Sequence, residues 1–398
     1  MKILTVDVGT GTQDIYLYDS RLDIENGFKL VVPSPTMIVR RQLQEATRLR
    51  QGVLLSGVTM GGGPSAWAAE DHLRAGLPVY ATPEAARTFN DDLVAVEAMG
   101  VRVLGDDEAK RIPETVLRLD LRDFDLLAIQ RSLEAFGVRL DDLAAIAVAV
   151  FDHGNSPPGY SDRQFRFDYL DERIRDENRL SAFAYRAEDV PQIMTRLQAV
   201  VKSASGVDVP LVVMDTAPAA VLGATFDPRV AARRRALIAN VGNFHTLAFR
   251  LGSQGIEGVF EHHTGEIDLP KLERLLRLLA DGTLRHEDVF ADMGHGALIY
   301  GDEPLPMGVG DYDVAVTGPR RNLMGGGIPT GPGGRKDPGG HTGPPLRPYF
   351  AVPFGDMMIA GCFGLLAATA DVMPELAGPI RLSLRGEGGT GTPPWELT

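Results

Sequence analysis

The chain has a single cysteine, Cys362, in 398 residues. One thiol cannot close an intrachain disulfide. Nor can it hold an iron–sulfur cluster, which takes several thiolates. So little cysteine fits a reducing compartment, and a cytoplasmic location is predicted. Positive charge is also short: 40 Lys and Arg against 53 Asp and Glu give a formal net charge of −13. Such a surface repels nucleic-acid phosphates and anionic lipid, so neither is expected as a partner. The run Arg233-Arg234-Arg235 precedes a strand pattern and reads as a solvated loop. No apolar run reaches the roughly 20 residues of a membrane span; the most apolar stretch, residues 357–370, is too short. Met1 leads straight into a strand pattern, without the basic segment and apolar core of a signal peptide.

What is present is the composition of a globular protein with a sizeable core: 44% hydrophobic and 23% charged residues. Two glycine turns stand out. The first, Asp7-Val8-Gly9-Thr10-Gly11-Thr12, follows the apolar strand pattern of residues 2–6. The second, Asn240-Val241-Gly242-Asn243-Phe244-His245-Thr246, follows a similar pattern at residues 236–239. Each is followed by a returning strand. Glycine permits φ > 0 and close approach to the backbone, and successive amides in such turns attract anions. Thr10, Thr12 and Thr246 add hydroxyls, and Asp7 can hold a metal-bound water beside a phosphate. Two such hairpins, each opening a half of the chain, predict a duplicated α/β fold with a phosphate-bearing ligand between the halves. Residues 143–150 are continuously apolar and read as a buried strand. A helix is predicted over residues 268–279, with Asp268 as N-cap. Residues 106–142 are charged and read as helices, 325–348 as a flexible Gly/Pro excursion, and 354–370 as a final helix with a small-residue face.

The order of these elements resembles the superfamily of actin, sugar kinases, acetate kinases and seventy-kilodalton heat-shock chaperones. The two hairpins resemble its two phosphate loops. Val314-Ala315-Val316-Thr317-Gly318 resembles the strand and turn under the adenosine, and Met214-Asp215-Thr216-Ala217-Pro218 the strand-to-helix segment before the second loop. The resemblance implies duplicated actin-like ATPase domains, of ribonuclease H-like type, around a central cleft holding ATP or ADP with Mg. The implied nucleotide contacts are Gly9, Thr10, Gly11, Thr12, Gly242, Asn243, Thr246, Gly318 and Arg320. The implied organisation is a first α/β domain over 1–155, a helical connection over 156–205, a second α/β domain over 206–350 and a C-terminal hinge helix and tail over 351–398. The chain departs from the superfamily pattern at three places: Asn240 replaces a frequent acidic residue, Pro319 a glycine, and Gln13-Asp14 a serine and a basic residue. Each change bears on ATP turnover rather than on the fold.

Four phrases are similar to a narrower prokaryotic family labelled pyruvate formate-lyase activating enzyme: Phe151-Asp152-His153-Gly154, Glu261-His262-His263-Thr264-Gly265, Thr317-Gly318-Pro319-Arg320-Arg321 and Pro353-Phe354-Gly355-Asp356-Met357-Met358. That label implies radical S-adenosylmethionine chemistry on a Cys-x-x-x-Cys-x-x-Cys motif. With one cysteine, this activity is rejected while the family resemblance stands.

Asp215 is the first candidate for a general base, with its carboxylate expected to face the cleft; the alternative is a helix cap. Asp7 is the second catalytic candidate. Asp152, His153 and His245 form a candidate transition-metal set, since His and carboxylate together suit zinc, iron or manganese, while Asp7 is a metal candidate beside the phosphate; core or surface histidines are the plainer alternative. Adjacent His262 and His263 in a strand point to opposite faces, so at most one reaches a common site. Arg320 and Arg321 can stack on a base, pair with phosphate or join surface salt bridges. Gly61-Gly62-Gly63 with Ser65 reads as a loop or an anion site. The leading functional reading is a phosphotransferase or ATP hydrolase acting on a small molecule in an interdomain cleft. The others are a metal-dependent enzyme using the cleft histidines and a non-catalytic nucleotide-sensing activator of another enzyme. A homo-oligomer is left open.

Overall fold

The computed structural model describes residues 1–325 and 344–389, with Gly391, Pro393 and Trp395. Most of the Gly/Pro excursion expected at 325–348 lies outside the described residues.

The apolar hairpin at the N-terminus forms as read. Strands β1 (Lys2–Val8) and β2 (Thr12–Asp19) pair antiparallel, and β3 (Phe28–Pro33) adds to β2. The chain then leaves to build a separate parallel sheet from β4 (Val53–Gly57), β5 (Val79–Ala81), β6 (Arg102–Val103) and β7 (Leu117–Leu121), ordered β6-β5-β4-β7. Strand β7 falls where helices were expected. Its sequence LRLDL alternates with period two, buried leucines against exposed Arg118 and Asp120, and that pattern outweighs its charge content.

The chain returns as β8 (Leu143–Val150), buried and parallel to β1. A central parallel strand is covered on both faces, which accounts for its unbroken apolar sequence. β9 (Ala184–Arg186) and β10 (Leu211–Asp215) complete the order β3-β2-β1-β8-β10-β9. The segment 156–205 carries helices at Asp162–Asp176 and Thr195–Ser203 and also contributes β9. One expectation is corrected here: β10, expected to open the second half, pairs with β8 in the first sheet. The second sheet holds β11 (Ala236–Val241), β12 (His245–Gly252), β13 (Gly255–His263), β14 (Gly296–Ile299), β15 (Val314–Thr317) and β16 (Pro348–Phe350), ordered β14-β13-β12-β11-β15-β16. Three antiparallel strands followed by two parallel ones occur in both sheets: β3-β2-β1-β8-β10 and β13-β12-β11-β15-β16.

Among the described residues, the helices of eight or more residues are α1 (Pro35–Arg48), α2 (Pro64–Arg74), α3 (Leu126–Glu134), α4 (Asp162–Asp176), α5 (Thr195–Ser203), α6 (Thr216–Ala224), α7 (Leu269–Asp281), α8 (Ala360–Val372) and α9 (Ala377–Leu384). Helix α7 starts as predicted: the Asp268 carboxylate accepts from the Lys271 amide, and Gly282 ends it at φ 72°. Helix α8 starts at Ala360, later than the predicted 354, and α9 follows it. Leu4, Val6, Val148 and Val213 of the first sheet share one apolar cluster with Ile238, Phe249 and Val259 of the second. The opposite face of the first sheet is covered by α8 and α9, and that of the second by α7.

The small-residue face of α8 has a definite use. A Cβ on Gly364 would fall on the Ala219 carbonyl of α6, and one on Gly223 of α6 would fall on the Ala360 carbonyl. The two helices therefore touch backbone to backbone. Among the described residues, no single helix is long and apolar enough to cross a membrane.

Candidate functional site

A cavity of about 330 Å³ lies between the two sheets and the inserted β4–β7 sheet. Both predicted hairpins reach it. Asp7, Gly9, Thr10, Gly11 and Thr12 line it from the first, and Asn240, Gly242, Asn243 and His245 from the second. The hairpins nearly touch: a Cβ on Gly11 would lie 2.9 Å from Asn243 Nδ2. The glycines are needed for this closeness, not for backbone conformation, since Gly9, Gly11 and Gly242 are not among the positive-φ residues. A Cβ on Gly242 would lie 2.6 Å from the His245 carbonyl oxygen, and one on Gly9 3.1 Å from that of Thr12. Those same carbonyls accept the Gly242 and Gly9 amides and close the turns. Among the described residues, the Thr10, Gly11, Asn243 and Phe244 amides bond to no backbone carbonyl.

Beside the first turn stand two carboxylates. Asp7 and Asp14 are direct partners on the β1–β2 ladder, and both line the cavity. Asp7 Oδ1 accepts from Thr216 Oγ1 at 2.6 Å. Asp14 Oδ1 is buried without a hydrogen-bond partner among the described residues. Burial lifts the Asp7 carboxyl to about 6, against the pull of the Thr216 bond. Burial, and then the charge of Asp7, lift Asp14 to about 8. Helix α8 presses on this pair: a Cβ on Gly361 would overlap the Asp7 carboxylate.

The third wall comes from residues that composition alone did not single out: Thr59, Met60, Arg87, Thr88 and Asp91 of the inserted sheet. The Gly61-Gly62-Gly63 loop also lines the cavity, yet the Gly61 amide is already bound by both oxygens of Asp123. Gly63 abuts the Phe244 ring, so the inserted sheet meets the second hairpin directly. Thr317, Gly318 and Pro319 line the cavity where the adenosine turn was expected. Gly318 has φ 96°, and a Cβ there would lie 2.5 Å from Asn240 Oδ1. Arg320 is absent from the lining; its amide bonds the Val241 carbonyl, and Arg321 bonds the Gly318 carbonyl. Thr246 is fully buried and bonds Thr264, so it turns away from the cavity.

Asp215 does not face the cavity. Its Oδ2 accepts from the buried Arg166 guanidinium and its Oδ1 from the Ala217 amide, so it caps α6 within an ion pair. Burial raises its carboxyl even against the Arg166 charge. The expected metal set is also redrawn. Asp152 Oδ1 accepts the Gly154 amide, and its Oδ2 accepts those of Arg196 and Leu197 at the start of α5. A carboxylate so occupied is a helix cap, not a metal ligand. The exposed His153 lines the cavity, with Nδ1 bonded to the Gly154 carbonyl.

His245 instead meets Glu261 and His295, and these three form a potential donor group. Burial drives the His295 imidazole down to about 3. Burial opposes charge on Glu261, but His295, Arg166 and His245 outweigh it and hold the carboxyl well below its usual range. His262 and His263 do point apart: His262 lies 3.6 Å from Asp292, while the His263 ring is 5.0 Å from that of His245.

Residues 60–323 match the family described as "Putative pyruvate format-lyase activating enzyme (DUF1786)". The chain belongs to this family. The match takes in the second hairpin and the His245–Glu261–His295 group but begins after Asp7 and Asp14. No curated protein matches the family member described here. Solved structures similar to it include a ROK family transcriptional regulator homologous to the E. coli MLC protein, at 9% identity over 64% of this chain and 37% of that one, with a TM-score of 0.25. A ROK hexokinase from Thermus thermophilus has 13% identity over 64% of this chain and 48% of that one, with a TM-score of 0.22. An exopolyphosphatase-like protein has 10% identity over 71% and 55%, with a TM-score of 0.22. The chain thus spans about half the length of these structures, or less. Likenesses of this size assign no activity to the DUF1786 chain.

Glu261, Arg166 and Asp14 were not selected from the sequence as site residues. Glu261 sits two positions before His263 on one strand face, a period-two signal that was available. Arg166 gave none, since its partners are 49 and 95 residues away.

Proposed function

We propose that the cavity binds a magnesium–nucleotide and that the protein is an ATP-dependent phosphotransferase or ATP hydrolase. In this reading the two sheets are duplicated actin-like ATPase units. The observation that carries it is the convergence of two glycine hairpins, one from each sheet, beside the carboxylate pair Asp7 and Asp14. The domain limits 1–155, 156–205, 206–350 and 351–398 go with this reading, with β10 moved to the first unit.

The donor set fits magnesium. Two cavity carboxylates stand side by side, one with an unpartnered buried oxygen, and all-oxygen sites of this kind suit that ion. Asp7 and Asp14 would hold it, and when bound it neutralises charge on the transferring phosphoryl group. The free amides of Thr10, Gly11, Asn243 and Phe244 offer donors to phosphate oxygens, and Thr10 and Thr12 add hydroxyls. Thr317, Gly318 and Pro319 supply a surface for the nucleoside. With Asp215 committed to Arg166, the general-base role in this reading falls to cavity residues that do not hold the magnesium, among them Asp91 and His153.

The radical reaction implied by the family description is not adopted, because Cys362 is the sole cysteine and is buried. The test is ADP formation from ATP by the purified chain. It should require magnesium and fall by at least tenfold in Asp7→Asn. Magnesium-independent turnover, or turnover unchanged in Asp7→Asn, contradicts the reading.

A further inference from the structure

Strands β12, β13 and β14 bring four titratable side chains to one edge of the second sheet. His245 opens β12 directly opposite His263 at the end of β13. Glu261 is two residues before His263 and therefore on the same face. His295 precedes β14, and its amide donates to the Glu261 carbonyl. The imidazole centroids of His245, His263 and His295 are 4.7–5.0 Å apart.

Among the described residues, three buried donor atoms in this group lack hydrogen-bond partners: His245 Nδ1, His295 Nδ1 and Glu261 Oε1. Glu261 is 0% and His295 4% exposed. His245 Nδ1 lies 2.9 Å from Glu261 Oε1, and His295 Nδ1 lies 3.7 Å from it. The shorter distance would suit a hydrogen bond, but the atoms are not aligned for one. A buried polar atom left unpaired costs about 1–3 kcal/mol, and here two imidazole nitrogens gather around one carboxylate oxygen. Arg166 explains how the carboxylate is set. Its Nε donates to Glu261 Oε2 at 3.2 Å, which leaves Oε1 turned to the imidazoles. Arg166 is in turn fixed by Asp215 and by the Asp152 carbonyl. Holding the outer oxygen of a ligating carboxylate is the usual work of a metal site's surrounding shell.

We propose that His245, Glu261 and His295 bind a divalent transition-metal ion, zinc or iron(II), through Nδ1, Oε1 and Nδ1. Two imidazoles and a carboxylate suit these ions and leave coordination positions open. His245 lies on the cavity wall, so the open side is toward the cavity. The site is distinct from Asp7 and Asp14, which belong to the first sheet and offer only oxygen. It stands whether or not a nucleotide binds.

The experiment uses cobalt(II) as the probe. Chelator-treated full-length protein is titrated with cobalt(II) in excess magnesium, which occupies oxygen-only sites, and visible absorption is recorded. The expected result is one saturable equivalent that zinc displaces. His295→Ala and Glu261→Gln should weaken binding by more than 100-fold, since loss of a mere supporting residue already costs about 10–100-fold. Asp14→Asn should bind cobalt as the wild type does. Proton NMR of the wild-type cobalt form gives a mutation-free reading, with hyperfine-shifted imidazole N–H signals from two histidines. The absence of a saturable absorption band or of shifted imidazole signals in the wild type overturns the proposal and leaves only a His245–Glu261 contact. Retained binding in folded His295→Ala overturns it too.

Discussion

Asp7 and Asp14 stand opposite each other on the β1–β2 ladder, and the charge of the first helps lift the carboxyl of the second to about 8. Two neighbouring buried acids are tolerable when one is protonated or when a cation lies between them. Both folded-state values exceed the ordinary 3.8. Their contribution to stability is therefore full below that value and is lost as pH rises through about 6 and then about 8.

Metal-free protein should lose stability from about pH 4 to about pH 8, the interval between the ordinary carboxyl value and the two raised ones, and magnesium should restore it at the alkaline end. Asp14→Asn should flatten the decline by at least about 1.4 kcal/mol, the worth of one pKa unit. Urea unfolding across this range, with and without magnesium, checks both statements. An equally steep decline in Asp14→Asn would show that another group carries it.

The Asp215–Arg166 pair leads to a different outcome from that expected of a catalytic base. Asp215→Asn keeps the bond to the Ala217 amide but leaves a buried guanidinium short of a counter-charge. Loss of one partner of a buried pair costs about 3–5 kcal/mol. Chemical denaturation should show a loss of that size. A change below about 1 kcal/mol, together with a large fall in turnover, would return Asp215 to the catalytic role.

Gly361 separates packing from chemistry. A Cβ there would overlap the Asp7 carboxylate, whereas a Cβ on Gly378 of α9 meets none of the described residues within 4 Å. Gly361→Ala should weaken magnesium–nucleotide binding by at least tenfold, about 1.4 kcal/mol. Gly378→Ala should leave binding unchanged and stabilise its helix by up to about 1 kcal/mol. Calorimetric titration of both variants decides it; equal affinities would mean that α8 does not set the Asp7 position.

Much of the local architecture was legible because its signals are local. The apolar runs at β1, β8 and β11, the Asp268 cap and the opposed faces of His262 and His263 all follow from short-range periodicity. What was not legible depended on distant partners. The place of β10 beside β8 follows from a crossover through α4 and α5, so its position just before the second hairpin pointed to the wrong sheet. Asp215 at a strand end has the look of a cleft residue until Arg166 arrives from 49 residues away. Asp152 and His153 are adjacent to each other in sequence, yet the carboxylate is drawn off by the amides of α5 and the metal-type cluster forms with Glu261 and His295 instead.

The central claim is that a magnesium–nucleotide occupies the cavity between the hairpins. Thermal unfolding of the wild-type chain with millimolar Mg-ADP or Mg-ATP tests it most directly. A ligand at 100 times its Kd that binds only the folded state adds about 2.7 kcal/mol. The account predicts a clear rise in Tm that needs magnesium and is abolished in Asp7→Asn. An unchanged Tm with every nucleotide tested, and with inorganic phosphate, would contradict it.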